Sequence, residues 1–296
     1  MQSKKNPLPA GYAFAAITIC LWSLSALSAT RLTRLSPFLL VGITFSLAGV
    51  TGIWQIRTWR LPLKVWAVGV GGVFGYQVLY FLAFQHAPAV EVNLVNYLWP
   101  LFIVLLSPVY LKAHPIRRNH LLGGLAGLVG AALVVSAGNI QIDLRSTPGY
   151  GYAFLAALLW ASYSLLIKRF QPLPASAANA FCLVSGLLAM GIYLASNPGL
   201  PDAFLLTPQE WFFAFLMGVG THGIAFVTWN LAMKNGDPRR IASFVYLSPL
   251  LSTLVLVLTN SGKLGWISGL GMLIILIGVA IGSNETLLPG SFKILE

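Results

Sequence analysis

The sequence predicts an all-α integral membrane protein with ten transmembrane helices, arranged as two inverted five-helix repeats. Three observations predict it: an apolar, charge-poor composition, ten long uncharged segments, and sequence strings shared between the two halves. Of 296 residues, 57% are hydrophobic and 8% charged. Soluble domains carry about 25% charged residues, so this chain lacks the polar surface that water requires. Nucleic-acid binding, which the net charge of +11 would otherwise indicate, is therefore disfavoured.

The ten uncharged segments are the predicted spans. All 18 Lys and Arg residues and all 7 Asp and Glu residues lie outside them. About 20 helical residues at a rise of 1.5 Å cross the ~30 Å hydrocarbon layer, and continuous apolar runs favour helices over a β-barrel, whose strands alternate. The predicted spans are residues 11–30, 36–56, 65–85, 92–111, 121–142, 149–167, 172–201, 211–233, 241–262 and 264–284.

The distribution of positive charge predicts the orientation. If the N-terminus is cytoplasmic, 14 Lys and Arg residues fall in cytoplasmic loops and 4 in loops on the other side. Lys and Arg concentrate in cytoplasmic loops, so both termini are expected in the cytoplasm, with the basic loops near anionic lipid headgroups. The first apolar run is followed directly by a second span and is expected to be mature structure rather than a signal peptide.

An internal repeat joins the two halves of the chain. Residues 69–107 align without gaps with residues 218–256. Both segments begin with Gly-Val-Gly, and both contain the string Tyr-Leu-x-Pro-Leu, which starts at Tyr97 and at Tyr246. Leu and Val matches are common among membrane proteins, but these two strings are not.

A second shared string marks the beginning of each half. GYAF occurs twice, and each copy is followed by Leu-Trp, with the tryptophans at Trp22 and Trp160. We therefore predict two five-helix repeats, residues 1–143 and 144–296. Because five is odd, the second repeat starts on the opposite side of the membrane. Inverted repeats of this kind are typical of transporters.

These features resemble the EamA-type drug/metabolite transporter superfamily, and within it the YddG-like branch of bacterial aromatic amino-acid exporters. The resemblance rests on the two Leu-Trp strings, the proline-containing fourth helix of each half, and the aromatic third and fourth helices. It implies a central cavity formed by spans 1, 3, 4, 6, 8 and 9, with spans 2, 5, 7 and 10 peripheral. It also implies export of amino acids or metabolites across the bacterial inner membrane.

Polar and aromatic side chains within the spans are the candidate substrate-binding residues, because such groups are retained in a membrane mainly where they meet protein or water. Tyr76 and Tyr80, four residues apart, are predicted to share a helix face. We expect the aromatic side chains to stack on a substrate ring, and the amides and the histidine to hold its polar end. The predicted set is Tyr76, Gln77, Tyr80, Asn96, Tyr97, Trp99, Trp160, His222, Trp229 and Tyr246.

A purely structural interpretation of these residues stays open. Tyr and Trp also anchor helices at membrane interfaces or pack within protein. Asn96 is explained equally well by a hydrogen bond to another helix. His222, the one histidine within the ten segments, is explained equally well by a bond to a neighbouring hydroxyl.

Prolines and glycines predict how the spans bend and pack. Pro100 and Pro249 each remove an i to i−4 hydrogen bond at equivalent places in the two halves, so a kink is expected at both. We interpret them as hinges for gating. Glycine pairs four residues apart are concentrated in spans 5 and 10, which predicts either close packing within one protomer or a dimer face. The oligomeric state is not predicted.

The absence of charged residues from the spans also excludes function classes. An enzyme site at membrane depth would need a carboxylate pair, a nucleophile with its base or a metal cluster. Two isolated thiols, Cys20 and Cys182, indicate neither a metal site nor a disulfide. We predict a secondary transporter of aromatic and other neutral amino acids that works by alternating access. Another small metabolite or a drug-like organic cation is the alternative substrate. No cofactor, metal or nucleic-acid partner is expected; a small-molecule substrate and membrane lipid are.

Overall fold

The computed structural model describes residues 8–111, 116–140, 143–197, 206–261, 264–283 and 291–292, most of them in helices. The α-helices are α1 (Leu8–Ser23), α2 (Ser25–Arg31), α3 (Pro37–Val50), α4 (Leu63–His86), α5 (Ala89–Asn96), α6 (Leu98–Tyr110), α7 (Arg118–Ser136), α8 (Thr147–Arg169), α9 (Ala177–Ser196), α10 (Pro208–Phe215), α11 (Ala225–Asn235), α12 (Pro238–Val245), α13 (Leu247–Leu258) and α14 (Trp266–Ser283). Two-residue strands, β1 (Ile116–Arg117) and β2 (Ser291–Phe292), pair antiparallel.

These helices make up ten spans. Span 1 is α1 and α2, span 2 is α3, span 3 is α4, span 4 is α5 and α6, and span 5 is α7. Span 6 is α8, span 7 is α9, span 8 runs from α10 through α11, span 9 is α12 and α13, and span 10 is α14. Among the described residues, nine of these segments are long and apolar enough to cross a membrane. The tenth, span 2, is a shorter apolar helix. The predicted ten-helix, all-α class is confirmed.

Span 2 ends earlier than predicted. Its α-helix stops at Val50, and a 3₁₀ segment, Ile53–Thr58, follows in place of the predicted helix to residue 56. Asn179 of span 7 donates from Nδ2 to the Ala48 carbonyl at 2.8 Å and to the Thr51 hydroxyl at 3.0 Å. The Asn179 side chain therefore donates to a backbone carbonyl that would otherwise accept a hydrogen bond from the next helical turn. The last residues predicted for span 7, 198–201, lie outside the described part of the chain.

Spans 4 and 9 are interrupted at equivalent positions. The first helix of span 4 ends at Asn96, and the first helix of span 9 ends at Val245. Proline cannot donate to the carbonyl four residues earlier, and those carbonyls belong to Asn96 for Pro100 and to Val245 for Pro249. The predicted breaks are therefore present, at Tyr97 and Tyr246, one residue after the carbonyls that lose their donors.

Spans 1 and 8 depart from regular α-helix without a counterpart in the other half. Span 1 is interrupted at Leu24, whereas span 6, its equivalent, is a continuous helix over Thr147–Arg169. Span 8 contains a π-helical stretch, Leu216–Ile224, whereas span 3 is a continuous α-helix. π-Helical segments are rare and occur frequently at functional sites. The two repeats therefore share a fold but differ in local helix geometry.

Glycines bring spans 5 and 10 into close contact within one protomer. A Cβ atom on Gly123 would lie 2.5 Å from the Cα of Gly282, and one on Gly130 would lie 2.6 Å from the Gly271 carbonyl oxygen. Only hydrogen fits at such positions. Packing inside the protomer is thus observed at Gly123 and Gly130, whereas Gly265 and Gly269 at the start of span 10 face open space.

A matching close contact occurs at the start of each repeat. Gly11, in span 1, lies against Gly236 in the turn between spans 8 and 9. Gly149, in span 6, lies against Ala87 in the turn between spans 3 and 4. Because the repeats are inverted, these equivalent contacts lie at opposite ends of the bundle. We call the end where span 1 begins the N-terminal side, and the other end the far side.

Candidate functional site

Four tryptophans from spans 1, 4, 6 and 8 meet inside the bundle; we call Trp22, Trp99, Trp160 and Trp229 the tryptophan cluster. The ring centroid of Trp22 lies 5.3 Å from that of Trp229 and 6.0 Å from that of Trp99. The rings of Trp99 and Trp160 are 6.4 Å apart, and Phe226 lies 5.2 Å from Trp160. The structure thus brings together three residues of the predicted set, with Trp22 of the repeat motif between them.

Two tyrosines of span 3 extend this aromatic surface toward the far side. Tyr76 and Tyr80 stack with 5.4 Å between centroids and 18° between planes, as their spacing predicts. The ring of Tyr76 also lies 5.3 Å from that of Trp160. Span 4 fixes both hydroxyls: Asn96 donates from Nδ2 to Tyr76 at 3.0 Å, and the Tyr80 hydroxyl donates to Oδ1 of Asn93.

The two tyrosines at the helix breaks meet where spans 4 and 9 come together. The Tyr246 hydroxyl donates to the Tyr97 carbonyl at 3.2 Å, which joins spans 4 and 9 at their interruptions. Tyr246 is fully buried, and its ring lies against Gly127 of span 5. Tyr97 is half-buried beside the same cluster of spans 5, 9 and 10. Tyr246 therefore lies apart from the tryptophan cluster.

Gln77 and His222 also face neighbours outside the cluster. Gln77 lines a shallow pocket between spans 2 and 3, together with Phe38 and Phe81. His222, in the π-helical stretch, packs edge-on against Phe45 of span 2 at 4.5 Å and against Phe226 at 5.6 Å. Its Nδ1 has no hydrogen-bond partner within the described residues, so the neighbouring hydroxyl of the structural alternative is not found at this atom.

Hydrogen bonds between spans close the N-terminal side below the tryptophan cluster. The hydroxyls of Thr18 and Thr228 are 2.7 Å apart, joining spans 1 and 8. The Tyr163 hydroxyl donates to Asn230 Oδ1 at 3.3 Å, joining spans 6 and 8. All four side chains are buried. Sequence reasoning did not single them out, although Thr18 precedes Trp22 by four residues and so shares its helix face.

Lys168 completes this closure at the end of span 8. Its ammonium nitrogen donates to the carbonyls of Met233 at 2.7 Å and Gly236 at 2.9 Å, with the Lys234 carbonyl at 3.4 Å. The C-terminal end of a helix carries carbonyls without intrahelical partners and a partial negative charge. A cation from span 6 therefore caps span 8 and holds the two together.

A buried ion pair begins span 9 next to this cap. Arg239 donates from Nε to Asp237 Oδ1 at 3.0 Å, and its backbone N–H donates to the same oxygen at 3.0 Å. Burial raises the pKa of the Asp237 carboxyl, but hydrogen bonds and charge attraction from Arg239 lower it by more, so the pKa lies below its usual value. Asp237 is therefore ionised at neutral pH and caps the helix.

The far side is held together at its periphery. Arg34, between spans 1 and 2, forms two hydrogen bonds of 2.8 Å with Glu210 at the start of span 8. Thr207 and Glu210 also form a capping box there. Nearer the axis, Ser25 and Tyr80 are only half-buried. Both are more exposed than the four side chains whose hydrogen bonds close the N-terminal side.

Within the described ranges, no three His, Cys, Asp or Glu side chains come close enough together to hold a metal ion. The arrangement offers aromatic faces, indole and phenol groups and amides. Such groups can stack on the ring of an organic molecule and form hydrogen bonds with its polar groups.

The comparisons with known proteins agree with this architecture. The EamA-like transporter family matches the chain twice, over residues 9–136 and 147–283. The chain is 36% identical over 251 residues to the aromatic amino acid exporter YddG of Ancylobacter novellus, covering 82% of this chain and 86% of that protein. It is 25% identical over 238 residues to the exporter of the same name from Escherichia coli, covering 75% and 78%.

More distant relatives and solved structures extend the comparison. A riboflavin transporter of Brucella anthropi is 27% identical over 210 residues, covering 70% of this chain and 69% of that one. A protein of known crystal structure matches with a TM-score of 0.86 and 34% identity, covering 93% of this chain and 96% of that chain. Both the sequence and the fold point to a multi-pass membrane transporter. The chain belongs to the EamA-like transporter family.

Proposed function

We propose that this chain exports aromatic and other neutral amino acids across the bacterial inner membrane by alternating access between its two five-helix halves. The observation that carries the proposal is the continuous aromatic surface of the tryptophan cluster with Tyr76 and Tyr80, next to the amide of Asn96. The 36% identity to a relative named as an aromatic amino acid exporter supports the same substrate class.

In this proposal the substrate ring binds on the aromatic surface. Tyr76, Tyr80 and Trp160 form its wall, and Trp99 and Trp229 form its floor. Aromatic rings favour offset-stacked or edge-to-face contacts, which contribute about 0.5–1.5 kcal/mol each beyond their buried area. Such a surface accepts phenylalanine, tyrosine and tryptophan without a charged partner. Tyr97 borders it from span 4.

The structure corresponds, in this proposal, to a state that is open toward the far side. The bonds of Thr18, Tyr163 and Lys168 close the N-terminal side, while side chains on the other side of the cluster are only half-buried. The excess of Lys and Arg in loops of the N-terminal side makes that side cytoplasmic. Bending of spans 4 and 9 next to Pro100 and Pro249 would then exchange the two states.

Transport in liposomes tests the proposal. Purified protein is reconstituted and assayed for uptake of labelled phenylalanine, tryptophan, threonine and a quaternary ammonium compound. We expect the aromatic amino acids to be transported fastest. Uptake of the quaternary ammonium without the amino acids would favour the alternative substrate, an organic cation, which aromatic faces also bind.

Two variants test the assigned surface. Tyr97→Ala and Trp160→Ala are expected to reduce phenylalanine uptake while the yield and the melting temperature in detergent stay near wild type. Trp211→Ala is the matched control, because Trp211 is 43% exposed at the beginning of span 8. A parallel loss of folding and uptake in the first two variants would make these residues structural and refute their role in binding.

A further inference from the structure

The four indole N–H groups of the tryptophan cluster are not equivalent. Trp22 donates from Nε1 to the Thr221 carbonyl at 3.2 Å, and Trp229 donates from Nε1 to the Ser164 hydroxyl at 3.0 Å. Trp99 and Trp160 are 6% and 4% exposed, and neither indole has a hydrogen-bond acceptor within the part of the chain that the structure describes. Two donors are thus left for something other than the protein.

An acceptor without a donor lies in the same group of side chains. Asn96 is 7% exposed, and its Nδ2 donates a hydrogen bond to the Tyr76 hydroxyl at 3.0 Å. Its Oδ1 is buried and has no hydrogen-bond partner among the described residues. Asn96 and Trp99 are three residues apart in span 4, on either side of its interruption at Tyr97. Tyr76 connects them to Trp160 through a ring contact of 5.3 Å.

The combination of groups defines the ligand chemistry. Indole N–H groups only donate, and an amide oxygen only accepts, so this ligand must carry an acceptor group and a donor group together. None of the four side chains is charged, so a ligand with a net charge would lack a countercharge here, whereas the two opposite charges of a zwitterion compensate each other. A zwitterionic α-amino acid meets both conditions through its carboxylate and its ammonium group. An amine alone or a carboxylic acid alone meets only one of them.

We propose that Trp99 and Trp160 donate their indole N–H groups to the substrate carboxylate, and that Asn96 Oδ1 accepts from the substrate ammonium group. This inference rests on the proposed amino-acid transport and adds to it the selection of the head group. The substrate side chain then extends along Tyr76 and Tyr80. Selectivity for amino acids over amines and acids arises from uncharged residues alone.

The test separates head-group recognition from binding of the ring. Binding of phenylalanine, phenethylamine and 3-phenylpropionate to purified protein is measured by calorimetry, and transport of the three is measured in liposomes. Trp99→Phe and Trp160→Phe keep an aromatic ring and remove one donor. We expect each variant to weaken phenylalanine and 3-phenylpropionate binding about 10-fold and to leave phenethylamine binding within about 2-fold, because a hydrogen bond to a charged group is worth at least that factor.

Two further variants complete the design. Trp22→Phe is the matched control, since its N–H is already bonded to protein; any effect should be equal for the three compounds. Asn96→Leu should weaken phenylalanine and phenethylamine but not 3-phenylpropionate. If Trp22→Phe and Trp160→Phe change the relative affinities for the three compounds equally, the proposed head-group recognition is wrong. Transport of phenylalanine by the wild type would still support the proposed function in that case. Failure of the wild type to bind or transport any amino acid would overturn both.

Discussion

Replacing Lys168 by methionine should open the N-terminal side. Methionine keeps an unbranched side chain of nearly the same length and removes the ammonium group that joins span 6 to the end of span 8. Two of its hydrogen bonds are short, 2.7 Å to Met233 and 2.9 Å to Gly236. Their loss leaves the opposite, far-side contacts untouched. The equilibrium between the two access states should therefore shift toward opening of the N-terminal side.

The size of this shift follows from the two bonds. A hydrogen bond that involves a charged group contributes about 1.5–3 kcal/mol net. Lys168 is only partly buried, so the lower figure applies, and two such bonds give about 3 kcal/mol. Since 1.4 kcal/mol is a factor of ten, the population open on the N-terminal side should rise by up to about 100-fold. The longer contact with Lys234 is left out of this sum.

Cysteine accessibility measures the shift. Thr228→Cys is introduced with Cys20→Ser and Cys182→Ser, because Thr228 is buried in the closed interface. Its alkylation by an impermeant maleimide is followed in inside-out vesicles. Lys168→Met should raise the rate by about 10-fold or more.

The neighbouring basic residue provides the control. Arg169→Met removes the same charge from an exposed position, and it should leave the alkylation rate within about 2-fold of the parent. Equal rates for Lys168→Met and Arg169→Met would refute the assignment of Lys168 as a closing contact.

Three further predictions concern packing, bending and pH. Gly123→Val should lower the melting temperature in detergent by several degrees, because its Cβ would collide with the span 10 backbone, whereas Gly269→Val, which has open space, should not. Pro100→Ala and Pro249→Ala should raise thermal stability and slow turnover in liposomes, since a proline in a helix interior costs about 3 kcal/mol of helix stability. Unchanged turnover would show that the two prolines are not hinges. Asp237→Asn should lower stability at pH 7 by about 1.5 kcal/mol, because asparagine still caps the helix but lacks the negative charge that strengthens the hydrogen bonds with Arg239. Because the folded-state pKa of Asp237 lies below its unfolded value, its contribution is complete at neutral pH and is lost on acidification below about pH 4; unfolding curves that lose stability in parallel for both proteins would contradict this.

The spans and the repeat were predictable because they depend on properties that the sequence displays directly. Hydropathy and the placement of charges locate a helix in a membrane, since a charge at depth is expensive. The breaks beside Pro100 and Pro249 follow from one missing N–H group each. The early end of span 2 was not predictable, because it depends on Asn179, a residue more than a hundred positions away that takes a carbonyl of span 2.

The candidate site was predictable only within each helix. Spacing places Tyr76 and Tyr80 on one face, and the structure has them stacked. Spacing does not determine which neighbouring helix that face contacts. Tyr246 and Gln77 were therefore included in the predicted set, although Tyr246 packs against span 5 and Gln77 lies between spans 2 and 3. Lys168 was counted only as a loop charge, because its carbonyl partners appear only when spans 6 and 8 are side by side.

The inverted repeat has a consequence for the resting state. If the two halves had identical sequences, exchanging their local conformations would turn the molecule over, and both access states would have equal free energy. Any preference must therefore come from positions at which the halves differ. Counted from the paired Trp22 and Trp160, the counterpart of Lys168 is Thr30, whose hydroxyl, among the described residues, bonds to the Leu27 carbonyl of its own helix at 2.7 Å. If the chain works by alternating access, as proposed, Lys168 should favour closure of the N-terminal side, and a lysine at position 30 with Lys168 replaced should reverse that preference.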